Sequence, residues 1–161
     1  MSTPATCDAS TTDRTPVPSV RENARMRVSA KVDYALRAMA ELAAAPPGLT
    51  TAEQLATAQQ IPPKFLESIL AQLRSSGLIA SQRGAEGGYQ LARPAEEISV
   101  AEVIRELEGP IATVRGVRPD ELEYEGAAAG LRDVWLELRV QIRGVLEQTT
   151  LADIATAPRK A

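Results

Sequence analysis

Three observations predict a mainly α-helical fold carrying one small β-hairpin. Apolar residues recur every three to four positions in several separate stretches, and proline and glycine pairs cut those stretches into short helices. Two strand-prone runs flank the glycine-rich segment Arg83-Gly84-Ala85-Glu86-Gly87-Gly88. Near the C-terminus a longer apolar stripe predicts one long final helix.

Taken in order, residues 1–25 are rich in Ser, Thr and Pro with little aliphatic content, and a disordered tail is expected there. Met26 offers a second translation start, and Cys7 reads as an exposed tail thiol. From Ser29 onward Val32, Leu36, Met39 and Leu42 mark a helix that Pro46-Pro47-Gly48 ends. Thr50 with Glu53 has the spacing of a capping box, opening a short helix to about Gln59. Ile61-Pro62-Pro63 breaks it, and proline at a first helical position presets the next helix, over about 63–76. That helix turns Leu66, Ile69, Leu70 and Leu73 inward and Lys64, Glu67, Ser68 and Ala71 outward, with Gly77 suited to its C-terminal cap. Leu78–Gln82 and Tyr89–Ala92 then form the hairpin strands.

Two short helices joined by a tight turn and followed by a hairpin give the order of a winged helix-turn-helix. The glycines at the wing tip let the backbone take positive φ and approach another surface closely. An arginine on a thin loop suits the narrow, electronegative minor groove of DNA, which makes Arg83 the candidate for that contact. A solvated turn arginine is the plain alternative.

Beyond the wing, Ser99 with Glu102 has capping-box spacing and opens a helix with Val103, Ile104 and Leu107 inward, ended by Gly109-Pro110. Residues 110–130 read as irregular, with an acidic cluster at Asp120, Glu121, Glu123 and Glu125 that is most simply a solvated loop. From about Ala127 to Gln148 an apolar stripe runs through Leu131, Val134, Trp135, Leu138, Ile142, Val145 and Leu146. A helix of that length reaches roughly 33 Å, too long for a small winged module to bury. Pairing with its twin across a two-fold axis is the expected solution, so Leu131, Val134, Trp135, Leu138, Ile142 and Val145 are the candidate dimer interface.

Composition bounds the chemistry. The 161 residues contain no histidine and one cysteine, which removes Ser-His and Cys-His nucleophile pairs, His-ligated metals and internal disulfides. No argued pocket gathers two carboxylates, so an enzyme is not expected. No apolar run is long enough to span a membrane and no hydrophobic signal region opens the chain, which gives a cytoplasmic expectation. The net charge is −3, yet it is unevenly spread: residues 26–93 carry net +2 and residues 94–161 net −5. Such asymmetry is what is expected when only one part meets a polyanion.

The stretches MRVSAKVDYALRAMAELA, IPPKFLESILAQLRSSGLIASQRGAEGGYQLARPAEEISVAEVIRELEGP and TTLADI resemble the IscR/NsrR/CymR family of bacterial winged-helix transcription regulators, over about residues 26–155. The resemblance implies that the helix over 63–76 enters the major groove, that the wing approaches the minor groove, and that the long C-terminal helix forms a homodimer. It places Arg83 on the wing arginine, Gly84, Gly87 and Gly88 in the wing, and Lys64, Phe65, Glu67 and Ser68 on the recognition face. Glu67 there is suited to accept from cytosine N4. Cluster-binding members carry three cysteines between the fourth helix and the long helix, and residues 110–130 hold none. Asp33 sits where some members supply a carboxylate ligand, but without thiolates beside it no iron–sulfur cofactor is expected.

The resulting expectation is mainly α with a small β-wing: a tail over 1–25, a winged helix-turn-helix over 26–109, an effector loop over 110–130, and a dimerisation helix with C-terminal tail over 131–161. The function expected is a homodimeric, sequence-specific DNA-binding repressor without a cluster, controlled by a small molecule or a partner protein. The alternative is a winged-helix module that binds another protein and no DNA.

Overall fold

The computed structural model describes residues 28–157. The tail over 1–25, with Cys7 and the Met26 start, lies outside the described residues. Helix α1 (Ala30–Ala44) is capped by the Ser29 side chain, which accepts from the Val32 amide. It buries Val32, Ala35, Ala38, Met39 and Leu42. Helices α2 (Ala52–Gln59) and α3 (Pro63–Ser75) pack on it, with Pro63 at the first position of α3 as the sequence predicts. Leu66, Ile69, Leu70 and Leu73 are completely buried, while Lys64, Glu67, Ser68 and Ala71 face solvent. Burying one such leucine against leaving it exposed is worth roughly 1.5–3 kcal/mol, so this face fixes how α3 sits on the body.

The wing is a two-stranded antiparallel hairpin, β1 (Ile79–Gln82) and β2 (Gly88–Leu91), with Ile79 opposite Leu91 and Gln82 opposite Gly88. After it, α4 (Val100–Glu108) buries Val100, Ala101, Val103 and Leu107, and Gly109 closes it. Helix α5 (Leu131–Gln148) is the longest element, about 27 Å by its 18 residues. A short helix α6 (Leu151–Thr156) ends the described chain. The core gathers residues of α1, α2, α3, β1 and α4 with Leu151 of α6. Among the described residues no helix is long and apolar enough to cross a membrane.

Four expectations shift. The cap of α2 is Thr51, not Thr50: Thr51 and Gln54 form the reciprocal capping box, because the Thr50 backbone is engaged in a bridge to Tyr89. At α4 the Ser99 hydroxyl accepts from the Glu102 amide, but the Glu102 carboxylate meets Arg93 rather than closing a box. The long helix starts at Leu131, not Ala127, since residues Gly126–Ala128 wind as a 3-10 turn from Gly126 at φ 58°. The acidic loop is not merely solvated: Asp120 meets Arg118 at 2.9 Å and Arg139 at 3.0 Å, pinning the loop to α5.

The residues after α5 also return to the body instead of trailing from it. Thr150 bridges Ser99, the Leu151 amide donates to the Ile98 carbonyl at 3.0 Å, and Leu151 is fully buried as α6 packs on α1.

Candidate nucleic-acid interface

Helix α3 presents Lys64, Phe65, Glu67 and Ser68 on its solvent side, all in its first two turns. Their exposure follows from the leucine face beneath them: with Leu66, Ile69, Leu70 and Leu73 turned to the core, the intervening positions must point out. Phe65 is 47% exposed, and its ring meets Tyr34 of α1 edge-on at 5.9 Å and 81°. The Ser68 hydroxyl donates to the Phe65 carbonyl at 2.9 Å, which leaves the oxygen lone pairs outward.

The hairpin is tied to α3 through the third residue of β1. Arg74, in the last turn of α3, donates to the Ser81 hydroxyl of β1 at 3.4 Å. Nothing in the sequence singles out Arg74. Its spacing from Ser81 is visible only once the hairpin folds back.

Three glycines serve three different purposes at the wing. Gly84 holds φ 113°, a conformation L side chains rarely adopt. A Cβ on Gly87 would lie 2.5 Å from the Gln82 carbonyl oxygen, so the tip closes only without one. Gly88 is not at the tip; it is the buried first residue of β2, where a Cβ would stand 2.8 Å from the Thr50 carbonyl oxygen. The tip therefore owes its form to Gly84 and Gly87, and Gly88 fits the hairpin against the α1–α2 connection. Arg83 is exposed at the start of this tip. Among the described residues neither Lys64 nor Arg83 takes part in an ion pair, so both charges are uncompensated.

On α5, Leu131, Val134, Leu138 and Val145 are exposed at 40%, 55%, 44% and 66%, and Trp135 and Ile142 are half-buried. No residue of this helix is fully buried. Two ion pairs help attach it, Arg139 to Asp120 and Arg105 of α4 to Glu147, each at 3.0 Å. The Glu147 carboxyl is held below its usual range by the hydrogen bonds of Arg143 and by the charges of Arg143 and Arg105. Ile142 and Leu146 face a cleft of about 700 Å³ that Val32, Ile104, Glu108 and Ile111 also line.

Comparison with known proteins agrees with the winged-helix fold. The family model Rrf2, described as "Iron-dependent Transcriptional regulator", matches residues 28–157. The helix-turn-helix-type transcriptional regulator Rv1287 of Mycobacterium tuberculosis is 53% identical over 131 residues, covering 81% of each chain. The solved structure of CymR, the global cysteine regulator of Bacillus subtilis, superposes with a TM-score of 0.72 at 36% identity, covering 83% of this chain and 99% of that one. IscR of T. potens gives 0.67 at 34% identity, with 84% and 93% covered.

The word iron in that description can be tested against the donors present. Iron–sulfur clusters are held mainly by thiolates. The single cysteine lies outside the described residues, and the 110–130 loop has none. The Asp33 carboxylate is already engaged by Arg37 at 3.2 Å. Among the described residues no group of three or more metal-ligating side chains converges. These residues do not fit an iron–sulfur cluster.

Proposed function

The chain belongs to the Rrf2 family of transcriptional regulators, and from that premise we propose that it acts as a homodimeric, sequence-specific DNA-binding repressor whose signal is not a cluster. It is a helix-turn-helix regulator rather than an enzyme. One observation carries the reading furthest: an uncompensated Arg83 on a glycine-shaped tip, tied by way of Arg74 and Ser81 to a helix whose outer face is Lys64, Phe65, Glu67 and Ser68. In this reading α3 lies in the major groove, Glu67 accepts from cytosine N4, and Arg83 with the Gly84–Gly87 tip follows the adjacent minor groove. The wing depends on Gly88 only through its seat against Thr50.

The apolar row on α5 supports the dimer. Leu131, Val134, Leu138 and Val145 are uncovered by the chain's own body, and pairing with a second copy across a two-fold axis buries them together with Trp135 and Ile142. Such a dimer presents two α3 helices to half-sites about one DNA turn, roughly 34 Å, apart. Repression, by occupancy of a promoter, is the output proposed for it. Control enters at the cleft between α1, α4, the 110–130 loop and α5, through a small molecule or a partner protein. Similarity to a global cysteine regulator supports a signal from sulfur amino-acid metabolism.

The experiment is fluorescence anisotropy of the full chain on the intergenic duplex upstream of its own coding sequence, over a salt series, with a scrambled duplex as control. Preference of about 10³ or more with a steep salt slope is the expected result. Equal, weak binding to both duplexes, unchanged by cell extract, would move the reading to the protein-binding module.

A further inference from the structure

Arg37 of α1 makes four contacts, and together they reach both sides of the turn that aims the recognition helix. Its Nε donates to the Gln59 side-chain oxygen at 3.0 Å and a terminal nitrogen donates to the Gln59 main-chain carbonyl. The other terminal nitrogen meets Asp33 at 3.2 Å, and the guanidinium lies over the Tyr34 ring at 5.4 Å. Gln59 is the last residue of α2, where carbonyls have no partner within the helix. Its side-chain amide is held from the other side as well, by Glu41, one turn further along α1. Directly after it Gln60 sits in the left-handed region at φ 52°, which is costly for a residue with a side chain, and the chain then turns through Pro62 into α3.

On the far side of that turn, Phe65 of α3 rests against the same Tyr34 ring that Arg37 covers. One cation on α1 therefore grips the end of α2 and, through one aromatic ring, braces the first turn of α3. The side chain of Arg37 is about one-third exposed, and every donor direction the structure assigns to it is directed at protein.

We infer that Arg37 is a positioning residue for DNA recognition: it fixes the α2–α3 turn, and so the orientation of Lys64, Phe65, Glu67 and Ser68, without touching DNA itself. Nothing in its contacts calls for a phosphate. A guanidinium is needed because its planar fork meets two oxygens of Gln59 and one of Asp33 at once, which a lysine point charge does not.

The inference rests on the DNA-binding reading, and the test keeps the two apart. A duplex is first enriched from a randomised library by the wild-type full chain. Affinity of wild type and Arg37→Ala is then measured on it and on a scrambled duplex over a salt series, beside hydrogen exchange of the free proteins. The expected result is at least about tenfold weaker binding to the enriched duplex, with scrambled-duplex affinity and salt slope unchanged. Exchange should quicken at the amides of residues 60–66 and stay as in wild type in the wing and α5. A salt slope shallower by about one, the mark of a lost phosphate contact, overturns the inference, as does unchanged affinity. If Arg37→Ala does not fold, Arg37→Gln, which keeps two of the three stem methylenes and one donor group, is read by the same criteria. A wild-type chain that enriches no duplex defeats the DNA reading, and the exchange measurement still decides whether Arg37 holds the turn.

Discussion

Thr50 and Tyr89 form an isolated antiparallel bridge, with the Thr50 amide 2.9 Å from the Tyr89 carbonyl and the Tyr89 amide 2.8 Å from the Thr50 carbonyl. This bridge attaches the wing to the connection between α1 and α2, so the hairpin is held at a second point besides Arg74. Two strands alone are marginal in water, and a third backbone segment is what makes so short a wing a defined object.

Gly88→Ala tests that attachment. The added Cβ would stand 2.8 Å from the Thr50 carbonyl oxygen and 2.9 Å from its carbon, backbone atoms that cannot turn aside. Overpacking of this kind costs about 1–3 kcal/mol. A lowered melting temperature is expected, together with weaker DNA binding as the wing is pushed off its seat. An unchanged melt would mean the bridge contributes nothing to holding the wing.

Arg83→Ala separates the wing's charge from its structure. Arg83 is exposed and has no partner among the described residues, so its truncation should leave the stability of the fold within about 0.5 kcal/mol of wild type. Affinity for the operator duplex should fall by about 1–3 kcal/mol, with the salt slope reduced by about one. Dimerisation, followed by sedimentation, should not move. Wild-type affinity in this variant would remove Arg83 from the interface.

How far the sequence carried this reading depended on how local the cause was. Helix α3 was legible because Pro63 marks its start and four leucine-type residues at three- and four-residue spacing mark its buried face. The wing was legible because its turn needs glycine at Gly84 and Gly87, although the part played by Gly88 was not, since its neighbour Thr50 lies 38 positions away. The same bridge hid the cap of α2: Thr50 and Thr51 are chemically alike, and only the pairing with Tyr89 assigns one to the bridge and the other to the helix. Helix α6 is six residues long, too short for periodicity, and is held by Leu151 in a core built mostly of distant residues. Arg37 on a helix face reads as a solvated charge until Gln59, 22 residues on, comes alongside.

The dimer prediction follows from Leu138, which is 44% exposed in the single chain and central in the apolar row of α5. Leu138→Glu puts a carboxylate into the proposed interface twice, once from each protomer, by the symmetry of a two-fold contact. A dissociation constant raised by about 100-fold or more, equivalent to about 2.8 kcal/mol, is the expected outcome in sedimentation equilibrium. The circular dichroism of the variant should stay helical, because the residue supports little of the chain's own core. A variant that remains dimeric would place the contact elsewhere.

Helix α6 supplies the pH dependence. The Thr150 amide and hydroxyl each lie 2.8 Å from one Asp153 oxygen, and these bonds, the backbone one foremost, hold the Asp153 carboxyl below its usual range. A carboxyl whose pKa is depressed on folding stabilises the folded state above its unfolded value, about 3.9, and that contribution is lost as pH falls through the folded value. Asp153→Asn removes the titration while keeping an oxygen that accepts hydrogen bonds. The wild type should therefore melt above Asp153→Asn by a constant margin from pH 7 down to about 5, and the margin should close below about pH 4 as Asp153 takes up its proton. Because α6 brings Leu151 into the core beside α1, the loss should appear in the cooperative melt of the whole domain, not as separate fraying of the C-terminus. A margin that does not change between pH 7 and pH 3 would show that the capping box of α6 is not coupled to folding through this carboxylate.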